Sequence, residues 1–232
     1  MTKTILLTGA NRGIGLELAR RYAAAGWRLQ ACCRQPEQAS ELQALAAAHP
    51  GRVSIHPLEV TDPQSIAELA ESLKGGSIDL LFHNAGVAGP KPQGFGHIDR
   101  TAWLQTFEVN TLAPFYLTQA LVDLVAASQL RIVAIMGTSL GSIADNSSGG
   151  LYAYRSSKAA VHMVMKSLAI DLAPREIVVV ALHPGWVRTD LGGPAAPLRP
   201  DQAAKGLFKV LDNLTAADSG RLLSYTGEEL PW

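Results

Sequence analysis

The chain has 232 residues, 47% of them hydrophobic and 17% charged, with a formal net charge of zero. This composition suits a large buried core and excludes a disordered chain, while the missing basic field offers nothing to nucleic acid or an anionic membrane surface. A small molecule is the expected partner, and the length fits a single α/β domain over 1–232.

Short aliphatic runs recur along the chain and predict seven strands. In order they are TILL (4–7), RLQACC (28–33), RVSIHPLE (52–59), DLLFHN (79–84), RIVAIM (131–136), IVVVAL (177–182) and RLLSY (221–225). Between them the apolar period lengthens to that of a helix, as at Ile14, Leu18 and Tyr22 and again at Ile66, Leu69, Ala70 and Leu73. Thr61 or Asp62 before Pro63 is a candidate cap for the second of these helices. Strands that are apolar throughout, alternating with helices, predict a parallel sheet covered on both faces: a three-layer, doubly wound α/β fold. No repeat or linker divides it. Two segments rich in glycine and proline, 86–99 and 185–200, are predicted to be loops, either walls of a substrate site or plain surface loops.

The two cysteines, Cys32 and Cys33, are neighbours and have no spacing for a disulfide framework or a zinc site, which fits a reducing cytoplasm. Six scattered histidines show no metal-site pattern, so no metal is expected. The longest aliphatic run is too short to span a bilayer, and neither secretion nor membrane insertion is expected.

The first strand breaks into a helix through "TGANRGIG" (8–15). Gly9, Gly13 and Gly15 let the backbone turn tightly and approach a ligand with no Cβ in the way. The helix that follows presents unpaired N–H groups and a positive dipole end, which together suit a diphosphate. A turn with close helix packing needs the same glycines, so the cluster alone does not decide. Farther on, Tyr154 and Lys158 stand four apart where the sequence turns helical, which places both on one helix face. A nearby ammonium favours a phenolate and would draw the phenol toward values useful near neutral pH.

Taken together, "TGANRGIG", "NAG" (84–86), Asn110, "YRSSK" (154–158) and "PGWVRTD" (184–190) resemble, in order and spacing, the short-chain dehydrogenase/reductase family. "GSIADNSSGGLYAYRSSKAA" and the "GEELPW" ending look most like its C-factor/sniffer-like carbonyl reductase branch. The resemblance implies a Rossmann fold with strand order 3-2-1-4-5-6-7 and hydride transfer between a nicotinamide cofactor and a carbonyl or alcohol. It implies that Tyr154 is the acid/base, that Lys158 assists it and binds the nicotinamide ribose, and that Asn110 kinks its helix and holds a water in a proton relay. The hydroxyl that polarises the carbonyl falls on Thr138, or on the adjacent Ser139.

The cofactor expected is NADP(H). Its cradle is expected to include Gly9, Asn11, Arg12, Gly13, Ile14 and Gly15. The second strand ends without the acid that would hold a ribose 2′-OH, and Arg34 follows at once, with Arg12 placed to face the same 2′-phosphate. Both arginines could instead be solvated surface residues. Glu59 stands where the family has an aspartate at the adenine edge, with Val60 beside it, and Asn84, Ala85 and Gly86 are expected along the adenosine ribose, preceded by His83 where asparagine is common. Pro184, Gly185, Val187 and Thr189 are expected to hold the nicotinamide, and Phe95, Leu140 and Trp186 to form an apolar substrate wall. Alternatively these three belong to the core or to a dimer contact. The Ala-rich helices near 103–125 and 152–173 suit packing against their copies across a two-fold axis, and the resemblance implies a homodimer or homotetramer, with a monomer as the alternative. The rival reading is an NADP-binding signalling or regulatory protein of C-factor type, with little turnover.

Overall fold

The structure is a computed structural model and describes residues 2–232. Seven parallel strands occur where aliphatic runs predict them: β1 (Thr4–Thr8), β2 (Arg28–Cys33), β3 (Val53–Pro57), β4 (Leu80–His83), β5 (Ile132–Met136), β6 (Val178–His183) and β7 (Leu222–Ser224). Their order in the sheet is 3-2-1-4-5-6-7, as expected. An eighth strand, β8 (Glu229–Leu230), adds antiparallel to β7 and corrects the predicted seven. Two residues are too few to carry a periodic signal, and only the neighbouring edge of β7 makes them a strand.

Successive side chains on a strand face opposite ways, and here both ways lead to a core. Ile5, Leu7, Leu80, Phe82, Ile132 and Ala134 pack with Leu18, Leu42 and Leu207, from helices α1 (Gly13–Ala24), α2 (Ser40–Ala48) and α7 (Pro200–Asp212). Leu6, Leu81, Val133 and Ile135 pack with Ile66, Leu117 and Val161, from α3 (Pro63–Ser72), α5 (Ala113–Ala126) and α6 (Tyr152–Asp171). The adjacent thiols divide in the same way: Cys33 joins the first cluster and Cys32 the second. Asp62, of the two cap candidates, starts α3, accepting from the Gln64 N–H at 3.0 Å. No helix among the described residues is long and apolar enough to cross a membrane.

The order reverses between β1 and β4. In an open α/β sheet, ligands bind in the crevice outside the carboxyl ends of the strands at such a switch point. Thr8–Gly9 and Asn84 meet there, and segments 86–99 and 185–200 lie beyond their strands without regular structure apart from one bridge, Val187 to Leu198. A short helix, α4 (Arg100–Phe107), runs into a single π-helical turn over Glu108–Leu112 before α5.

Candidate active site

The glycines of the first turn have separate reasons. Gly9 and Gly13 adopt φ of +64° and +54°, a region that strains other residues. A Cβ on Gly15 would collide with the Gly9 carbonyl and lie 2.6 Å from Asn84 Nδ2, so this glycine seats α1 against the β1 and β4 turns. Packing therefore accounts for Gly15, and the turn itself for Gly9 and Gly13. Arg12 occupies the N-cap position of α1 without a side-chain cap, and the first-turn N–H groups of Gly13, Ile14 and Gly15 have no intrahelical acceptors. Such an end suits a phosphate.

Asn84 ties this turn together. Thr8 Oγ1 accepts from the Asn84 and Ala85 N–H groups, each at 3.0 Å, and Asn84 Nδ2 donates to the Thr8 and Gly9 carbonyls at 2.9 and 3.1 Å. Thr8, Val60, His83 and Ala85 line a small cleft beside it. His83 is buried against Thr118 Oγ1 at 2.8 Å, and burial pushes its imidazole down to about 3, so it serves as a neutral strut from β4 to α5. Glu59 turns toward its own loop, where Oε1 accepts from the Thr61 N–H and hydroxyl. Arg34 is exposed at the end of β2 and makes no ion pair among the described residues. Arg12 is also exposed but is bound to Asp190 at 2.5 Å.

The second half of the site gathers around the ends of β5 and α6. Tyr154, Lys158 and Thr138 come together as the spacing predicts. The Tyr154 phenol lies beside the Thr138 hydroxyl; burial pushes the phenol up to about 12, and that hydroxyl opposes the rise. Lys158 Nζ donates to the Met136 carbonyl at 2.8 Å, and burial lowers the ammonium itself to about 8.

Asn110 lies inside the π-helical turn, a local irregularity that the expected kink anticipates. Its carboxamide accepts from the Val87 N–H at 2.9 Å and donates to the Val87 carbonyl and to Ser157 Oγ, at 2.9 and 3.0 Å. It therefore clamps the loop after β4 to α6. A Cβ on Gly86 would lie 3.2 Å from Asn110 Oδ1 and 3.6 Å from Lys158 Nζ, so these groups flank a narrow floor that only glycine leaves open.

Thr138 and Ser139 part company. Thr138 is buried, and its hydroxyl accepts from the Leu140 N–H at 3.2 Å while reaching the phenol. Ser139 Oγ faces His183 Nε2 at 3.4 Å instead. Sequence reasoning missed His162, one turn beyond Lys158 on the same face of α6. Its Nε2 accepts from the Thr138 N–H at 3.3 Å, and its ring meets Trp232 edge to face at 5.6 Å. The i, i+4, i+8 spacing of Tyr154, Lys158 and His162 was the available signal. A Cβ on Gly137 would come within 2.8 Å of His162 Nε2, which explains a glycine in the first of the two serine slots.

The loop after β6 closes the site from the other side. Gly185 takes φ +82° after Pro184, and Thr189 Cγ2 would lie 3.2 Å from a Cβ on Gly13. The Val187 carbonyl accepts from the Thr189 N–H at 2.9 Å, whereas the Val187 N–H finds no acceptor among the described residues. Phe95 is 88% exposed and Trp186 57%, so neither belongs to the core, and neither ring stacks on another. Leu140 is half-buried in the turn after Thr138. Taken together, a glycine cradle at a helix end, a free main-chain donor at Val187 and a phenol–ammonium pair fit a nicotinamide dinucleotide.

Known proteins agree with this geometry. The short chain dehydrogenase family matches residues 3–198. The C-signal protein of Myxococcus xanthus is 43% identical over 157 residues, covering 68% of this chain and 94% of that protein. The carbonyl reductase Sniffer of D. melanogaster superposes with a TM-score of 0.94 at 34% identity, and an NADPH-bound carbonyl reductase from chicken fatty liver with 0.93 at 35%. Both structural matches cover 100% of this chain, and 100% and 99% of the respective neighbours.

Proposed function

Because the chain belongs to the short chain dehydrogenase family of oxidoreductases, we propose that it reduces a carbonyl compound with NADPH, Tyr154 supplying the proton. When bound, NADPH would supply the hydride for the carbonyl carbon. The observation that carries this reading is the buried Tyr154 phenol beside the Thr138 hydroxyl, with Lys158 buried one turn along the same helix. Burial pushes the phenol up, so it carries at neutral pH the proton that a donor needs. The Thr138 hydroxyl orients the carbonyl oxygen between itself and the phenol. Lys158 holds the ribose and renews the proton, and Asn110 fixes the floor on which both act. Ser139, turned toward His183, supports this loop.

NADP(H) in preference to NAD(H) is supported by exposed Arg34 at the end of an acid-free β2 and by Arg12 in the glycine turn. Gly9, Asn11, Gly13, Ile14 and Gly15 would cradle the diphosphate; Val60, Asn84, Ala85 and Gly86 would face the adenosine, with Glu59 held in its own loop beside them; Pro184, Gly185, Val187 and Thr189 would hold the carboxamide. Phe95, Leu140 and Trp186 form the substrate side. Exposed Leu104, Leu112, Phe115 and Tyr116, with Met163 and Ile170 on α6, support pairing of copies, and the two unpaired thiols support a cytoplasmic setting.

The test is oxidation of NADPH, with NADH in parallel, across aldehydes, ketones and quinones, with Tyr154→Phe as control. Turnover that prefers NADPH and collapses in the variant supports the reading. NADPH binding without turnover would favour a regulatory role, the reading to which the C-signal likeness points.

A further inference from the structure

Helix α6 carries Tyr154 and Lys158, yet it begins where its own sequence equips it poorly. Its N-cap position is Leu151, held at φ +47° and without a side-chain oxygen. A helix needs acceptors for its first-turn N–H groups, and a side-chain oxygen that accepts from the second or third helical residue is the common remedy. Here the third residue is Tyr154 itself. Its acceptor comes from 61 positions away: Gln93 Oε1 accepts from the Tyr154 N–H at 3.0 Å, and the Gln93 carbonyl accepts from the Tyr152 N–H at 3.3 Å.

The other end of the same carboxamide is also engaged. Gln93 Nε2 donates to the Ala88 carbonyl at 2.8 Å, pinning the loop over 86–99 against its own start. Gln93 is buried, whereas Phe95 two residues on is exposed. The loop has no slack beneath it, since a Cβ on Gly89 would lie 3.1 Å from Thr106 Oγ1 and 3.3 Å from Ala153 Cβ. One side chain thus fixes both the first turn of α6 and the path of the loop that reaches Phe95.

We propose that Gln93 is a positioning residue that couples the substrate-side loop to the phenol of Tyr154. A carbonyl substrate seated against the loop acts, through Ala88 and Gln93, on the height of the turn that aims the phenol. The inference rests on the carbonyl reductase reading for its kinetic consequence, but the coupling itself has a readout that needs no turnover.

Two variants separate the parts. Gln93→Met removes both bonds, while Gln93→Glu keeps an acceptor for the Tyr154 N–H, favoured at the positive helix end, and turns an oxygen toward the Ala88 carbonyl. In Gln93→Met the amide of Tyr154 and those of 86–99 exchange hydrogen about tenfold faster; in Gln93→Glu only the loop does. With NADPH and a carbonyl substrate, Gln93→Met lowers kcat about tenfold or more, since small misplacements at a reacting centre are costly. NADPH Kd stays within about twofold. Gln93→Glu recovers most of kcat and retains a raised carbonyl KM. Unchanged exchange at Tyr154 in Gln93→Met overturns the coupling, as does a parallel fall of kcat, NADPH affinity and Tm in both variants. A wild-type protein that binds NADPH and reduces nothing would defeat the reductase reading alone, and exchange would still decide the coupling.

Discussion

Arg12 Nη1 and Asp190 Oδ2, 178 residues apart, form an ion pair at 2.5 Å that bridges the glycine turn and the loop after β6. The pair is 66% and 79% exposed, so its weight in stability is small, about 0–1 kcal/mol. Its importance is that the guanidinium proposed for the 2′-phosphate is already engaged by a carboxylate. Asp190→Asn is expected to tighten NADPH binding several-fold and leave NADH unchanged, whereas Arg34→Ala weakens NADPH selectively. Fluorescence titration with both cofactors checks this, and equal effects on NADPH and NADH would remove the arginines from phosphate recognition.

Thr138 and Ser139 can be told apart by their partners. Thr138 reaches the phenol while Ser139 faces His183. Thr138→Val is expected to cost about a hundredfold or more in kcat, the range for losing a donor to a developing oxyanion, with Thr138→Ser close to wild type. Ser139→Ala is expected to cost only a few-fold. The reverse ranking would hand the role to Ser139.

Burial pushes His83 down to about 3 and His162 and His183 to about 4. The unfolded chain takes up these protons near 6.5 and the folded chain does not, so stability from these groups is full above pH 6.5 and falls as the pH drops toward 4. Each group contributes up to about 1.4 kcal/mol per pH unit in that window. Urea unfolding at several pH values measures the slope, and His162→Asn is expected to flatten it by about one proton. Lys158 acts in another window: its lowered value, about 8, makes stability rise with pH between 8 and 10.5.

Gly137 stands where a serine of the family pattern would be expected, and His162 occupies the space. Gly137→Ser is expected to cost about 1–3 kcal/mol by overpacking, because Cβ would meet Nε2 at 2.8 Å. His162→Ala should relieve much of that cost. A double-mutant cycle by denaturant unfolding reads the coupling, and additive effects would mean that the ring yields freely.

The sequence by itself determined the strands and the motifs between them, because buried parallel strands need unbroken aliphatic runs and the chemistry needs fixed residue types at short, local spacings; the order of the strands came only from the family that those motifs resemble. Tyr154 and Lys158 were legible because one helix turn joins them, and the glycine turn because its constraints are local. Only the tertiary structure decided what contacts far along the chain decide. It gave β8 its partner, set the phenol beside Thr138, engaged Arg12 with Asp190, and brought Gln93 to the start of α6. His162 lies between these two cases, since its spacing from Lys158 is local but its meaning comes from Gly137, Thr138 and Trp232. A hydrogen bond or a close approach between distant segments leaves no period in the sequence, and burial, which sets the proton affinities here, exists only once the chain has closed around them.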